Sequence, residues 1–148
     1  MGDWRNELSS VMGGRGSLTR AEQENAEFED FLDMVAMPAL SEVAEELGNN
    51  HGRDAQVRRA PASVTLCVRA GDIEEITFRV MKQFVQNGIL PRAEVRIRRG
   101  TRFVKHDSMF KDDPQKYPIT EVTPEAIIEC FIRYYKMAMS NGQAGGAE

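Results

Sequence analysis

Between Leu47 and Val64 the spacing of apolar residues changes from steps of three and four to steps of two, and beyond His106 it changes back. A helix repeats about every 3.6 residues and a strand every two, so these two changes divide the chain into helix, sheet and helix. Phe28, Phe31, Leu32, Val35, Ala39, Val43 and Leu47 make the first stripe, which predicts a helix over 19–47. Thr19 and Glu22 fit a capping box at its start, and Gly48 with the two asparagines after it is expected to stop it. Pro38 lies inside the stripe, where it removes a hydrogen bond and strikes the preceding turn, so a kink or a split into two helices is expected there.

The period-two region runs from Asp54 to His106. In "SVTLCVR" Val64, Leu66 and Val68 alternate with Ser63, Thr65, Cys67 and Arg69, with a Pro61 turn before and "AGD" after, and a shorter strand is expected near 54–59. In "EITFRVMKQF" Ile76, Phe78 and Val80 face one way and Glu75, Thr77, Arg79 and Met81 the other. Residues 73–85 also fit a helix, through Ile73, Ile76, Val80, Met81 and Phe84; Thr77, Phe78 and Val80 and the flanking turn signals favour a strand. The last element has Thr123 as N-cap, Pro124 at the first helical position and a stripe of Ile127, Ile128, Phe131, Tyr135 and Ala138, ending at Asn141-Gly142.

The expected fold is an α+β two-layer sandwich: a long N-terminal helix kinked at Pro38, an antiparallel sheet of about five strands, and a C-terminal helix. At 148 residues the length suits one domain. The expected division is a flexible tail over 1–18, a single domain over 19–141, and a disordered tail over 142–148. "GGRG" at 13–16 breaks any helix in the first tail, although Trp4, Leu8, Val11 and Met12 fall on one helical face.

Charge is distributed unevenly. Over 19–47 there are nine carboxylates, and the only base is Arg20, so the helical layer is strongly acidic. "RAEVRIRRGTRFVKHD", residues 92–107, carries six Lys or Arg in a protein of net charge -4. A three-residue loop Arg98-Arg99-Gly100 would set Arg96 opposite Arg102 and Val95 opposite Phe103. It would place Ala93, Val95, Ile97 and Phe103 on one face, with Arg92, Glu94, Arg96, Arg102, Val104 and His106 on the other. Arg69, Arg79, Arg92, Arg96, Arg102 and His106 then form a candidate anion or partner face on the side away from the helices. The pI of about 5.3 and the lack of aromatic residues interleaved with these arginines speak against nucleic acid. Double-stranded-RNA-binding domains share the helix–sheet–helix order but need a basic start to the last helix, which here reads "TPEAIIEC".

No catalytic pattern emerges. His51 lies in a loop, and His106 and Asp107, adjacent on a strand, point to opposite faces. The two histidines and two cysteines have no zinc spacing, "GGRG" is not a phosphate loop, and no cofactor or metal is expected. Cys67 and Cys130 are expected to be free thiols. "MGDWRNELSS" has an acid at its third position and no apolar core, so neither signal peptide nor membrane span is expected, and the cytoplasm is the default location. The last helix, "FIRYYKMAM", carries more apolar surface than one sheet contact needs. The architecture resembles, at the level of fold only, small acidic dimeric chaperones and adaptors that pair a sheet with flanking helices. The reading is a small non-catalytic protein that binds a protein partner or itself; the alternative is a ligand- or nucleic-acid-binding module using the arginine face.

Overall fold

The computed structural model describes Trp4 and residues 20–85, 88–110 and 119–147. Apart from Trp4, the leader over 1–18 and the Thr19 cap lie outside the described residues. The elements are α1 (Arg20–Phe31), a π turn (Leu32–Ala36), α2 (Met37–Asn50), β1 (Asp54–Ala60), β2 (Ser63–Ala70), β3 (Ile73–Val85), β4 (Gly88–Arg99), β5 (Arg102–Met109), a 3-10 turn (Ile119–Glu121) and α3 (Pro124–Ala147). The strands form one antiparallel sheet in sequence order, β1-β2-β3-β4-β5. The fold is the α+β arrangement the periodicities imply, and residues 73–85 are a strand.

The break at Pro38 takes a definite form. The Met37 N–H donates to the Leu32 carbonyl, one residue further back than in an α-helix. This wider turn leaves room for the proline ring, and Pro38 falls in the first turn of α2, where a missing N–H costs little. The helix also outruns its expected stop. Gly48, Asn49 and Asn50 are helical, and the chain turns only at Gly52, whose φ of +64° suits glycine. There the His51 and Arg53 N–H groups both donate to the Leu47 carbonyl. At the start of α3 the Ala126 N–H donates to Thr123 Oγ1 at 3.1 Å. At the far end α3 continues past Asn141 and Gly142, its expected stop, to Ala147. A glycine lowers helix propensity by only about 1 kcal/mol.

Helices α1, α2 and α3 cover one face of the sheet, α2 over β1 and β2, α1 and α3 over β4, with α3 reaching β3. The core between the layers holds Phe28, Leu32 and Leu40 from the helical segments and Val64, Leu66, Val68, Ile76, Phe78, Val80, Val95 and Ile97 from the strands, all essentially inaccessible to solvent. Phe78 meets Phe131 of α3 edge to face at 5.6 Å. Burying one such side chain contributes about 1.5–3 kcal/mol.

Two local irregularities reassign faces. The β4–β5 loop has two residues, Gly100 and Thr101, so Arg99 pairs with Arg102, Arg98 with Phe103, Ile97 with Val104 and Val95 with His106. Gly100, at φ +64°, supplies the first position of a tight hairpin turn that a two-residue loop favours. The three-residue loop expected from the sequence is therefore corrected by one position, and every side chain of β5 changes face. The second irregularity is a bulge. Val68 pairs with Ile76 but Arg69 pairs with Glu74, leaving Glu75 as an extra residue. Simple alternation put Glu75 beside Thr77 on the outer face; the bulge turns it toward the helices.

Candidate functional site

Arg69, Arg79, Arg92 and Arg96 stand on the outer face of the sheet. Arg102 and His106 do not, because the corrected register turns them to the helical side. His106 lies 5.5 Å from the Tyr134 ring of α3, and its Nε2 is buried with no hydrogen-bond partner among the described residues. The outer arginines are largely engaged. Arg92 pairs with Asp107 and Glu94, Arg79 reaches Glu94 at 3.8 Å, and Lys105 meets Glu94 at 3.1 Å. Arg96 donates to Glu74 at 2.9 Å. Burial works against the Glu74 charge, but hydrogen bonds from Thr77 and Arg96 outweigh it and hold the carboxyl below its ordinary range. Arg69 donates to the Asp72 carbonyl at 3.0 Å. This half of the face is a network of exposed ion pairs, each worth about 0–1 kcal/mol.

A second region, which the sequence left unassigned, lies between α2 and α3. Glu42, Val43, Glu46, Leu47, His51 and Arg53 form one wall, and Ile128, Phe131, Ile132, Tyr135 and Met139 the other, around a cleft of about 580 Å³. Ile128, Ile132, Tyr135 and Met139 follow at helical spacing, a second stripe beside the one that enters the core. Ile132 is 43% exposed.

The cleft ends at a polar cluster that the bulge creates. Glu75 Oε1 accepts from Tyr135 Oη at 2.7 Å and from Arg53 Nε at 2.9 Å. Arg53 also donates to the His51 carbonyl at 3.1 Å, and its Nη2 meets the Met139 sulfur at 3.9 Å. The Glu75 hydrogen bond holds the Arg53 guanidinium more firmly protonated. Burial, followed by the adjoining Glu75 carboxylate, pushes Tyr135 up to about 12. A tyrosine so shifted is no phenolate base at neutral pH, and the cluster ties α3 to the sheet. On the rim His51 meets Glu46 at 3.1 Å, while Glu42 makes no ion pair with any described residue.

Neither cysteine is set up as a nucleophile. Burial pushes the Cys130 thiol up against the opposing Arg133 guanidinium, 3.5 Å away, and Cys67 is a free thiol on the outer face. Among the described residues no three His, Cys, Asp or Glu side chains are grouped so as to hold a metal ion, and no helix is long and apolar enough to cross a membrane. Comparison of the chain with family models, with curated proteins and with solved structures returned no match.

Proposed function

We propose that this protein is a non-catalytic adaptor that receives an amphipathic helix, apolar on one side and flanked by Lys or Arg, from a protein partner in the α2–α3 cleft. The observation that carries this reading is the pairing of an apolar floor, with Ile132 left open, and a rim bearing Glu42 and Glu46. Grooves between helices take helical ligands through apolar anchors one turn apart. Carboxylates on the rim select basic flanks through complementarity and encounter rate more than through raw affinity. The wall along α3 offers Ile128, Ile132 and Met139, each able to bury part of an anchor side chain at about 25 cal/mol per Å².

A second copy of the chain is a competing occupant, since α3 itself carries Arg133 and Lys136 beside Ile132. The test is fluorescence anisotropy with a labelled helical peptide of Leu and Lys, a Leu/Glu counterpart and a shuffled Leu/Lys sequence, with sedimentation run in parallel. The Leu/Lys helix should bind with micromolar affinity, about 8 kcal/mol, and at least tenfold more tightly than the other two. Ile132→Asp should lose that advantage. Equal binding of all three peptides, or a dimer of the chain that the Leu/Lys peptide cannot dissociate, would refute the reading.

A further inference from the structure

The corrected register places an aromatic residue among the arginines. Phe103 stands on the outer face, 40% exposed. The Arg96 guanidinium lies 4.7 Å from its ring centroid and that of Arg98 5.6 Å. Lys105 is directly opposite Arg96.

The charge around Phe103 differs from that on the rest of the face. Glu94, Asp107 and Glu74 occupy Arg79, Arg92, Arg96 and Lys105. Arg98, Arg99 and Arg102 form no ion pair with any described residue. Arg98 and Arg99 also lie beyond the last β3–β4 pair, Ile76 with Ile97, although β3 itself begins at Ile73. Free positive charge is thus concentrated at this tip.

The carboxylates of α1 and α2 belong to the helical layer, and on the outer face the nearest carboxylate, Glu74, is engaged by Arg96 at 2.9 Å.

We propose that the β4–β5 hairpin tip binds single-stranded nucleic acid, with bases stacking on the outer-face Phe103–guanidinium surface, Arg98 meeting phosphates on that face, and Arg99 and Arg102, which flank the turn on its other face, meeting them where the strand passes round the tip. Every base has a face that can stack on an aromatic ring or a guanidinium plane, and those faces are open only where the strand is unpaired. An acidic peptide would be drawn to the same charges but would gain nothing particular from an exposed ring between two guanidiniums. The site shares no residue with the α2–α3 cleft, and Phe103 and Arg98 face the opposite side of the sheet from it.

The test is anisotropy of a short labelled oligothymidylate against the full chain, with an abasic strand of equal length, a duplex of equal length and inorganic polyphosphate as competitors. At about 50 mM salt, binding should be detectable below about 100 µM protein and weaken roughly 15–20-fold by about 200 mM, the dependence expected for about three phosphate contacts. Phe103→Leu should weaken oligothymidylate binding at least fivefold and leave abasic-strand binding unchanged, while Phe103→Trp should keep or strengthen it. Arg98→Gln with Arg102→Gln should weaken all strands alike and flatten the salt dependence. Thermal melting of each variant should stay close to wild type, since these side chains lie outside the core. Undetectable binding overturns the proposal. So does a duplex, abasic strand or polyphosphate competing as well as the oligothymidylate. A Phe103→Leu variant that alters self-association while binding oligothymidylate normally would also overturn it, assigning the tip to a protein contact.

Discussion

Tyr135 of α3 donates to the carboxylate of Glu75 at 2.7 Å, linking the last helix to the bulge of β3 across 60 positions of sequence. The same carboxylate oxygen holds Arg53. The end of the cleft is therefore positioned by three residues from a loop, a strand and a helix.

Removing members of this cluster should have unequal effects. Tyr135→Phe loses one hydrogen bond and should cost about 1 kcal/mol, whereas Glu75→Ala strips partners from both Arg53 and Tyr135 and should cost about 2–3 kcal/mol. The double variant should be little worse than Glu75→Ala alone, because the two residues are partners in the same hydrogen bond. Urea unfolding measures all three; additive losses would show that Tyr135 and Glu75 are not coupled.

The cluster also sets an alkaline limit. Tyr135 in the folded state is raised from about 10 to about 12, so the folded protein holds its proton more tightly than the unfolded chain does. The stabilisation is fully present below pH 10 and is lost as pH rises from 10 toward 12. Wild type should lose stability over that interval more steeply than Tyr135→Phe. Tyrosinate absorbance should show one tyrosine titrating late, and a late step that persists in Tyr135→Phe would assign the shift to another residue.

At Glu74 the sign is opposite. Its folded carboxyl is held below the ordinary 4.5, so it stabilises the fold above that pH and ceases to do so as pH falls below it. Arg96→Gln removes one partner and should cost no more than about 1 kcal/mol at neutral pH. That cost should shrink in acid and in high salt, which denaturation at several pH values would reveal; a cost that grows in acid contradicts the pairing.

Alternation was enough to identify five strands and to place Val64, Leu66, Val68, Ile76, Phe78 and Val80 in the core, because an amphipathic strand has one way to bury its apolar face. It did not settle β5, where Phe103 and Val104 are adjacent and both apolar, so either could face inward. Loop length decides between them, and the larger residue was the natural but wrong candidate for burial. Four of the six residues of the arginine face were legible for the same reason: Arg69, Arg79, Arg92 and Arg96 sit on strands whose register is pinned by the core, Arg102 and His106 on the one that slipped. Glu75 was hidden because a bulge leaves no mark in hydropathy. The cleft brings Glu42 and Glu46 together with Ile128 and Ile132, residues remote in sequence, and no local pattern announces that meeting.

The register yields a direct stability comparison. Phe103→Ala should cost less than about 1 kcal/mol, as a surface change, while Phe78→Ala in the core should cost about 3–5 kcal/mol. Losses of similar size would place Phe103 inside and reinstate the three-residue loop.

The two thiols should separate in a labelling experiment. Cys130 is 3% exposed and its proton is held by burial, so alkylation under native conditions should modify Cys67 first, with Cys130 following only on unfolding. Mass spectrometry of partially alkylated protein gives the order; rapid native modification of Cys130 would indicate that the α3 flank opens readily.

The central claim, that the α2–α3 cleft receives a basic amphipathic helix, is tested most directly by methyl NMR of the full chain titrated with the Leu/Lys peptide. The account predicts saturable shifts at the methyls of Val43, Leu47, Ile128, Ile132 and Met139, with Thr65 and Thr77 on the outer sheet face unmoved. Shifts confined to the outer face, or none at Ile132 at saturating peptide, would contradict it.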